Sequence, residues 1–302
     1  MTAVDVPLTF QTALTSWRWD VPSILLPCAA FAAYALMWRR TPTPVSRLAL
    51  FGAGSAVWMV AGSSFVGVYS DVLFWVRALQ FVLLLMVAPL LLALGTPVTV
   101  LRDASSVRIR AAGARAFASR PVRMLAHPIV TSAGLLVTPW LIYLTPWYPA
   151  LLTRDGIDLV TRILLIAIGF GYFYARLQID PVPRRYPQVT SLLVTLVETL
   201  GDGALGVVIW QGGLIAASYY QALHRTWGPS IRTDQTIGAG VFWILGDVVG
   251  LPFLMVLLNR FRADERGNER EIDRILDTPE PDESDGTGLW WEQDPGLRDR
   301  YR

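Results

Sequence analysis

The chain has 302 residues, of which 53% are hydrophobic and 17% are charged, and its mean hydropathy is +0.42. This composition is typical of polytopic membrane proteins and excludes an ordinary soluble domain. The formal net charge is +2, and all 26 basic residues are arginine. A retinal protein is therefore excluded, because its Schiff base needs a lysine amine. The single cysteine, Cys28, allows no disulfide within one chain, and we expect it to be a small buried side chain.

Seven apolar segments recur along the chain, each near the ~20 residues that a helix needs to cross a bilayer. They lie at about 21–38, 48–68, 74–95, 127–145, 159–177, 189–217 and 236–258. The pattern predicts an all-α integral membrane protein with seven transmembrane helices in a domain at 21–258. The segment 1–20 lacks the pattern of a removable signal peptide, so we expect a short extracytoplasmic N-terminal segment.

Arginine distribution predicts the orientation of these spans. The connections 39–47, 99–126 and 176–188 hold twelve arginines, whereas the N-terminus and the opposite connections hold four. Because basic residues concentrate in short cytoplasmic connections, the N-terminus is predicted outside and the C-terminus cytoplasmic. The connection 99–126 fits two alternatives, an amphipathic helix on an anionic inner leaflet or a solvated loop.

The segment 259–302 has a different composition from the rest of the chain. It holds 13 of the 24 acidic residues and eight arginines, which predicts a charged, largely disordered cytoplasmic tail. The pair Trp290–Trp291 is either an interfacial anchor or partner motif, or has no function.

Ionisable residues occur inside four predicted spans, where an unpaired charge is costly. They are Arg77, Arg162, Glu198, Asp202 and Asp247. Their predicted depths favour a neutralising network in which Arg77 faces Asp202 first and Glu198 second. Such a network is either a structural ion-pair cluster or a proton or ion pathway.

Two further patterns limit the chemistry. His127 and His224 are predicted at opposite membrane surfaces, about 30 Å apart, so they do not share a metal or haem. We find no nucleophile beside a base and no phosphate-binding glycine loop, so the chain is not expected to be an enzyme.

The third span and the residues after it resemble the CtaG-type cytochrome c oxidase assembly proteins, a family of seven-span membrane proteins implicated in copper insertion into haem–copper oxidases. In the third span, Gln80, Met86, Pro89, Leu94 to Thr99 and Leu101–Arg102 match. Further matches follow in order at Trp17 to Asp20, Ser63 to Tyr69, His127–Pro128, Tyr143 to Pro146, Asp180 to Arg185, Trp227 to Ser230, Thr233 to Gln235, Trp243 to Asp247, Ala263 to Arg266 and Asp273–Arg274.

The chain departs from this family at the presumed metal ligands. Arg77 and Phe81 stand where the family has two histidines in the third span, and Arg162 and Asp202 stand where it has one each in the fifth and sixth. The resemblance implies copper as the metal. A guanidinium is always protonated and cannot ligate, so these residues argue against copper binding by the family's route.

The resemblance implies a membrane assembly factor that contacts haem–copper oxidase subunits, with copper handling in question, and a place in a bacterial cytoplasmic (inner) membrane. Two alternatives stay open: a proton- or ion-coupled transporter that uses the intramembrane carboxylates, and a copper-independent scaffold for another envelope complex. The candidate docking residues are Tyr143, Thr145, Pro146, Trp227, Asp234 and Gln235. The metal, the partner and the oligomeric state are not fixed by the sequence.

Overall fold

The computed structural model describes residues 5–180, 201, 203–244 and 255. Within these residues all regular structure is helical and there is no strand, which confirms the all-α prediction. The helices up to residue 125 are α1 (Phe10–Thr15), α2 (Val21–Trp38), α3 (Val45–Ser63), α4 (Phe65–Tyr69), α5 (Phe74–Val82), α6 (Ala88–Leu94), α7 (Pro97–Ala104), α8 (Val107–Ala118) and α9 (Arg120–Leu125). They are followed by α10 (Pro128–Leu144), α11 (Trp147–Thr153), α12 (Asp155–Leu177), α13 (203–211), α14 (Ala217–Ala222) and α15 (231–244).

Several of these helices are long and apolar enough to cross a bilayer. Four stretches qualify alone: Val21–Trp38, Val45–Tyr69, Phe74–Leu94 and Asp155–Leu177. The helices Ile129–Leu144 and Trp147–Thr153 qualify together, with a bend of 72° between them. These stretches coincide with the first five predicted spans. The sixth and seventh lie partly outside the described residues, so the count of seven and the orientation stay predictions.

Polar contacts at one end of the bundle, which we call the Asp20 end, show that consecutive spans run antiparallel. The N–H of Arg18, just before α2, donates to Ser63 O at the end of α3 over 2.7 Å. The Asp234 carboxylate, in α15, accepts from the N–H groups of Phe74 and Trp75 at the start of α5 over 3.1 and 3.0 Å. The starts of α2, α5 and α15 therefore lie at the same end as the close of α3.

The opposite end, which we call the Gly95 end, is built around the turn between α6 and α7. The Tyr34 hydroxyl donates to Gly95 O over 2.7 Å, and Arg47 Nη1 donates to Leu94 O over 2.6 Å. Thr96 takes a left-handed conformation, with φ of 51°. The Asp180 carboxylate accepts from the N–H groups of Val98 and Thr99 at 2.8 and 2.7 Å.

These contacts explain the motif Leu94 to Thr99 and the aspartate that follows α12. The carbonyls that end α6 and the N–H groups that begin α7 have no partner within their own helices, and they are satisfied by side chains from elsewhere in the chain. Burial raises the pKa of Asp180, and the hydrogen bonds from Thr99 and Val98 oppose that rise. The matching residues at this end are therefore a structural frame.

The third span contains one wide turn. Residues Leu83–Val87 form a π-helical turn between α5 and α6 that ends two residues before Pro89, which has no N–H to donate. Helix α12 approaches this turn at Gly169, where an added Cβ would lie 2.0 Å from Leu85 O. Glycine is required there because the two backbones are in contact.

Helix α2 lies at the edge of the described bundle. Its buried residues, Ser23, Pro27 and Tyr34, share one face. Cys28 lies on another face and is exposed, so the expectation that it is buried was wrong. The composition indicates that such a face contacts lipid. Contact with lipid accounts for an apolar thiol at an exposed position.

Candidate functional site: a buried network of arginines and aspartates

Arg77 lies in the first turn of α5 and has no exposed surface. Its Nη1 donates to Asp158 Oδ1 over 2.6 Å and to Gln80 Oε1 over 2.9 Å. Its Nη2 pairs with Asp71, and its Nε donates to Ser70 O over 3.2 Å. The guanidinium is thus surrounded by acceptors, which is the condition for burying a permanent charge.

Asp158 is shared between two arginines. One oxygen contacts Arg77, and Oδ2 lies 3.0 Å from Arg162 Nε, one helical turn further along α12. Arg162 Nη1 lies 2.7 Å from Asp20 Oδ2 and donates to Ser23 Oγ over 2.6 Å. Asp158 and Arg162 are four residues apart, the spacing at which oppositely charged side chains meet on a helix.

The pairs form one alternating chain of charges, which we call the ionic network. Arg18 lies 3.5 Å from Asp71, which pairs with Arg77. The order is Arg18, Asp71, Arg77, Asp158, Arg162 and Asp20. Three arginines and three aspartates give a formal charge of zero. The network ties the segment before α2, the turn before α5, and the start of α12 into one end of the bundle.

Burial differs along the network. Arg77 is completely buried and Asp158 nearly so, whereas Arg18 and Asp71 each expose more than a third of their side chains. Burying an ion pair costs desolvation free energy. The network is therefore evidence that the helices have one specified arrangement more than evidence for a large free energy of unfolding. Removing one member leaves an uncompensated charge, which costs about 3–5 kcal/mol at a buried site.

Asp20 shows how the network affects ionisation at its edge. Desolvation by itself would raise its pKa, but the hydrogen bonds from Ser23 and Arg162, together with the charges of Arg162 and Arg18, lower the pKa below its ordinary value. Asp20 stands at the N-cap of α2, yet its side chain makes no capping hydrogen bond. Its carboxylate binds Arg162 and Ser23 instead.

Neighbouring residues are fitted to this network. Gln80, also completely buried, donates from Nε2 to Ala61 O over 2.8 Å, which links α5 to α3. At Gly62 an added Cβ would lie 2.1 Å from Ser23 Oγ and 3.2 Å from Arg162 Nη1. A glycine is therefore needed where α3 passes the Asp20 side of the network.

The structure places the five predicted network residues as follows. Arg77 and Arg162 are brought together through Asp158. Glu198, Asp202 and Asp247 lie outside the described residues, so their contact with the arginines, and any transport role, stays a prediction. The partners seen for the arginines are Asp71, Asp158 and Asp20, which sequence reasoning missed.

Two of the six predicted docking residues have structural roles at helix ends. Asp234, besides capping α5, lies 3.3 Å from Arg225, and burial raises its pKa against the opposing hydrogen bonds from Trp75 and Phe74. Gln235 donates to Ile209 O over 2.7 Å and to Gly213 O over 3.0 Å, and it accepts from the N–H of Ile215. Both side chains are buried.

The other docking candidates differ in exposure. Tyr143 is buried against Phe74, Phe81 and Phe242. Thr145 and Pro146 form the bend between α10 and α11, and Trp227 is half-buried beneath Arg225, whose guanidinium lies 5.3 Å from the ring centre. Docking by these residues stays a prediction, and the surface they offer is limited to the bend and the Trp227 loop.

The side chains around Arg77 do not fit a copper ion. Cu(I) and Cu(II) prefer thioether, thiolate and imidazole ligands. In the part of the chain that the structure describes, no three His, Cys, Asp or Glu side chains are grouped so as to hold a metal. At the Arg77 position a permanent cation is engaged with two carboxylates, and Phe81 packs its ring 5.6 Å from that of Tyr143.

Comparison with known proteins places the chain in a family. A protein of Mycobacterium bovis, described as uncharacterized, is 28% identical over 92% of this chain, and an uncharacterized protein of Mycobacterium leprae is 26% identical over 89%. The chain covers 44% and 43% of those two proteins, less than half their length. No solved structure matches. The model of the cytochrome c oxidase caa3 assembly factor family matches residues 29–264, and the chain therefore belongs to this family of oxidase assembly factors.

Proposed function

We propose that this chain is a membrane factor for the assembly of a haem–copper (cytochrome c) oxidase, and that it acts as a protein scaffold without holding copper at the Arg77 position. The family supports the assembly role. The observation that carries the scaffold role is the Arg77–Asp158 pair, with Nη1 and Oδ1 2.6 Å apart in the interior. A buried guanidinium supplies the positive charge that a bound cation would otherwise supply to the aspartates.

The network explains how a scaffold can keep the family fold without a metal. Copper bound between spans would hold helix ends together through shared ligands. Here the same end of the bundle is held by ion pairs between α5, α12 and the segment before α2. The aspartates are already neutralised by arginines, so a cation has no unpaired carboxylate of the network to bind.

In this proposal a nascent oxidase subunit in the membrane contacts this chain, either at the lipid-facing surface of the chain or at its Asp20 end. The loop at Trp227 lies at that end, since its ring packs 5.9 Å from that of Tyr69, close to the turn before α5. The bend at Thr145 lies there too, since Trp147 Nε1 donates to Thr161 Oγ1, next to Arg162, over 2.9 Å. The partner is thus expected at the surface around this end. The proposed site is the bacterial cytoplasmic membrane, with the N-terminus outside.

The assembly role is tested in cells that lack the chain. The proposal expects less assembled oxidase, measured by the haem spectrum of membranes, with normal amounts of unassembled subunits. Oxidase subunits should co-purify with the tagged chain. Normal oxidase in the deletion, together with co-purification of a different envelope complex, would contradict the proposal.

The scaffold role is tested separately by Arg77→His combined with Phe81→His, which restores imidazoles at the positions where the resemblance puts them. If the network replaces the metal, complementation by the natural chain should not depend on copper supplied to the cells. The double variant is expected to be less stable, because Asp71 and Asp158 lose a partner, and to recover stability on addition of Cu(I). A natural chain that itself requires copper to restore the oxidase would contradict the copper-independent role.

A further inference from the structure

The connection between α6 and α10 is helical, and its second half, after α7, hardly packs on the rest of the described protein. Helices α8 and α9, at Val107–Ala118 and Arg120–Leu125, contain no buried residue. Helices of twelve residues or fewer are marginal in water without a surface to pack on. Another phase or partner must therefore cover them.

The side chains of this connection have the pattern of an interfacial helix. In α8, Ile109, Gly113 and Phe117 follow at intervals of four and share one face. Arg108 and Arg115, seven apart, share a different face, and Arg110 borders the apolar face beside Phe117. Ile109 is 57% exposed, and in α9 Met124 is 69% exposed. Large apolar side chains held open beside arginines are typical of helices that lie in the plane of a membrane.

The charge of the connection is strongly positive. Between residues 97 and 125 there are six arginines and one aspartate. The six are Arg102, Arg108, Arg110, Arg115, Arg120 and Arg123, and all are exposed. A surface of this charge is complementary to anionic phospholipid, which attracts nearby basic side chains.

The fold places this connection beside the bilayer surface. Helix α7 follows directly from the third span, and α10 is the start of the fourth, so both ends of the connection are fixed at the Gly95 end of the bundle. We infer that residues 107–125 form a membrane-surface platform that binds the phosphate headgroups of anionic phospholipid through its arginines and inserts Ile109, Met124 and Leu125 into the interface.

The acidic tail at 259–302 is the other occupant with suitable charge, since it holds 13 acidic residues and eight arginines. The lipid is favoured because the exposed side chains of the platform are apolar as well as basic, and a segment rich in Asp, Glu, Ser and Pro offers little apolar surface to cover them. The two occupants are separated by the experiment.

The experiment uses the full chain in nanodiscs. In a Cys28→Ser background, Met124→Cys is labelled with a fluorophore whose emission depends on polarity, and the mole fraction of phosphatidylglycerol in phosphatidylcholine is increased. The platform predicts a blue shift that grows with phosphatidylglycerol and is reversed by high salt. Arg108→Gln combined with Arg115→Gln should raise the phosphatidylglycerol fraction at half-effect at least about fivefold.

The matched control is Arg39→Gln combined with Arg40→Gln, which removes two exposed arginines from the connection between α2 and α3 at the same end. This variant should respond to lipid as the unsubstituted chain does. Three results would overturn the inference. The emission could be the same in both lipids, or the control variant could lose the lipid response as fully as the Arg108 and Arg115 variant does. The emission could also change on deletion of 259–302 without depending on the lipid.

Discussion

Asp158 of α12 contacts Arg77 of α5 over 2.6 Å in the interior of the protein, and its second oxygen lies 3.0 Å from Arg162. One carboxylate is thus shared by two guanidinium groups on two spans. Without the Asp158 carboxylate, Arg77 would keep only Asp71 as an acidic partner, and Arg162 would keep only Asp20.

Asp158→Asn should therefore lower the stability of the folded chain. A neutral amide keeps the shape but removes the charge, and loss of one partner from a buried pair costs about 3–5 kcal/mol. The measurement is thermal unfolding in detergent. Asp155→Asn is the matched control, because Asp155 is an exposed acid in the first turn of the same helix and its loss should cost about 0.3–1 kcal/mol. If the two variants unfold at the same temperature, Asp158 is not central to the ionic network.

Much of this site could be anticipated from the sequence, but its partners could not. Arg77 and Arg162 stand out because a charge within an apolar segment is expensive and needs a partner. Asp158 also had a signal, four residues before Arg162, but it sits near a predicted helix start where an acidic residue has an ordinary explanation. Asp20 and Asp71 lie outside the apolar runs. Asp71 reaches Arg77 through the turn before α5, and Asp20 reaches Arg162 only because the segment before α2 folds onto the bundle.

The fold, like the site, could be predicted only in part. Apolar length predicts five stretches that the structure also has, because hydrocarbon thickness sets helix length directly. The roles of Asp180 and Asp234 could not be predicted, since each caps the start of a helix that lies more than 80 residues earlier in the chain, and contacts of this kind have no local pattern.

Asp234→Ala should destabilise the start of α5. The carboxylate accepts from two N–H groups there, and loss of a helix cap typically costs about 0.5–2 kcal/mol. Asp234→Asn, which keeps one acceptor, should cost less than Asp234→Ala in the same unfolding assay. Thr233→Ala, at an exposed neighbouring position, serves as the control. A ranking in which the asparagine variant melts below the alanine variant would contradict the capping role.

Asp20 gives a prediction in pH. Its pKa in the folded chain is lowered, so its ionised form contributes stability above the ordinary aspartate pKa of about 3.9, and that contribution disappears as the pH falls through the lower folded value. Asp20→Asn should melt below the unsubstituted chain at pH 7, and the gap should narrow below about pH 4. A gap that is constant from pH 7 to pH 3 would show that the ionisation of Asp20 does not stabilise the fold.

The predicted orientation can be measured with single cysteines. In the Cys28→Ser background, Thr41→Cys reports the Gly95 end and Thr153→Cys reports the Asp20 end. If the arginine distribution sets the orientation, an impermeant maleimide added to intact cells freed of their outer layers should label position 153 and leave position 41 unlabelled until the membrane is opened. The reverse pattern would place the N-terminus inside.

The central claim is that ion pairs of Arg77 and Arg162 replace a metal in this member of the family, and its most direct test is the copper content of the purified chain with a Cu(I) titration. The account predicts far less than one copper per chain and no saturable tight binding. One copper bound tightly per chain, lost on Asp158→Asn and retained on Asp155→Asn, would contradict it.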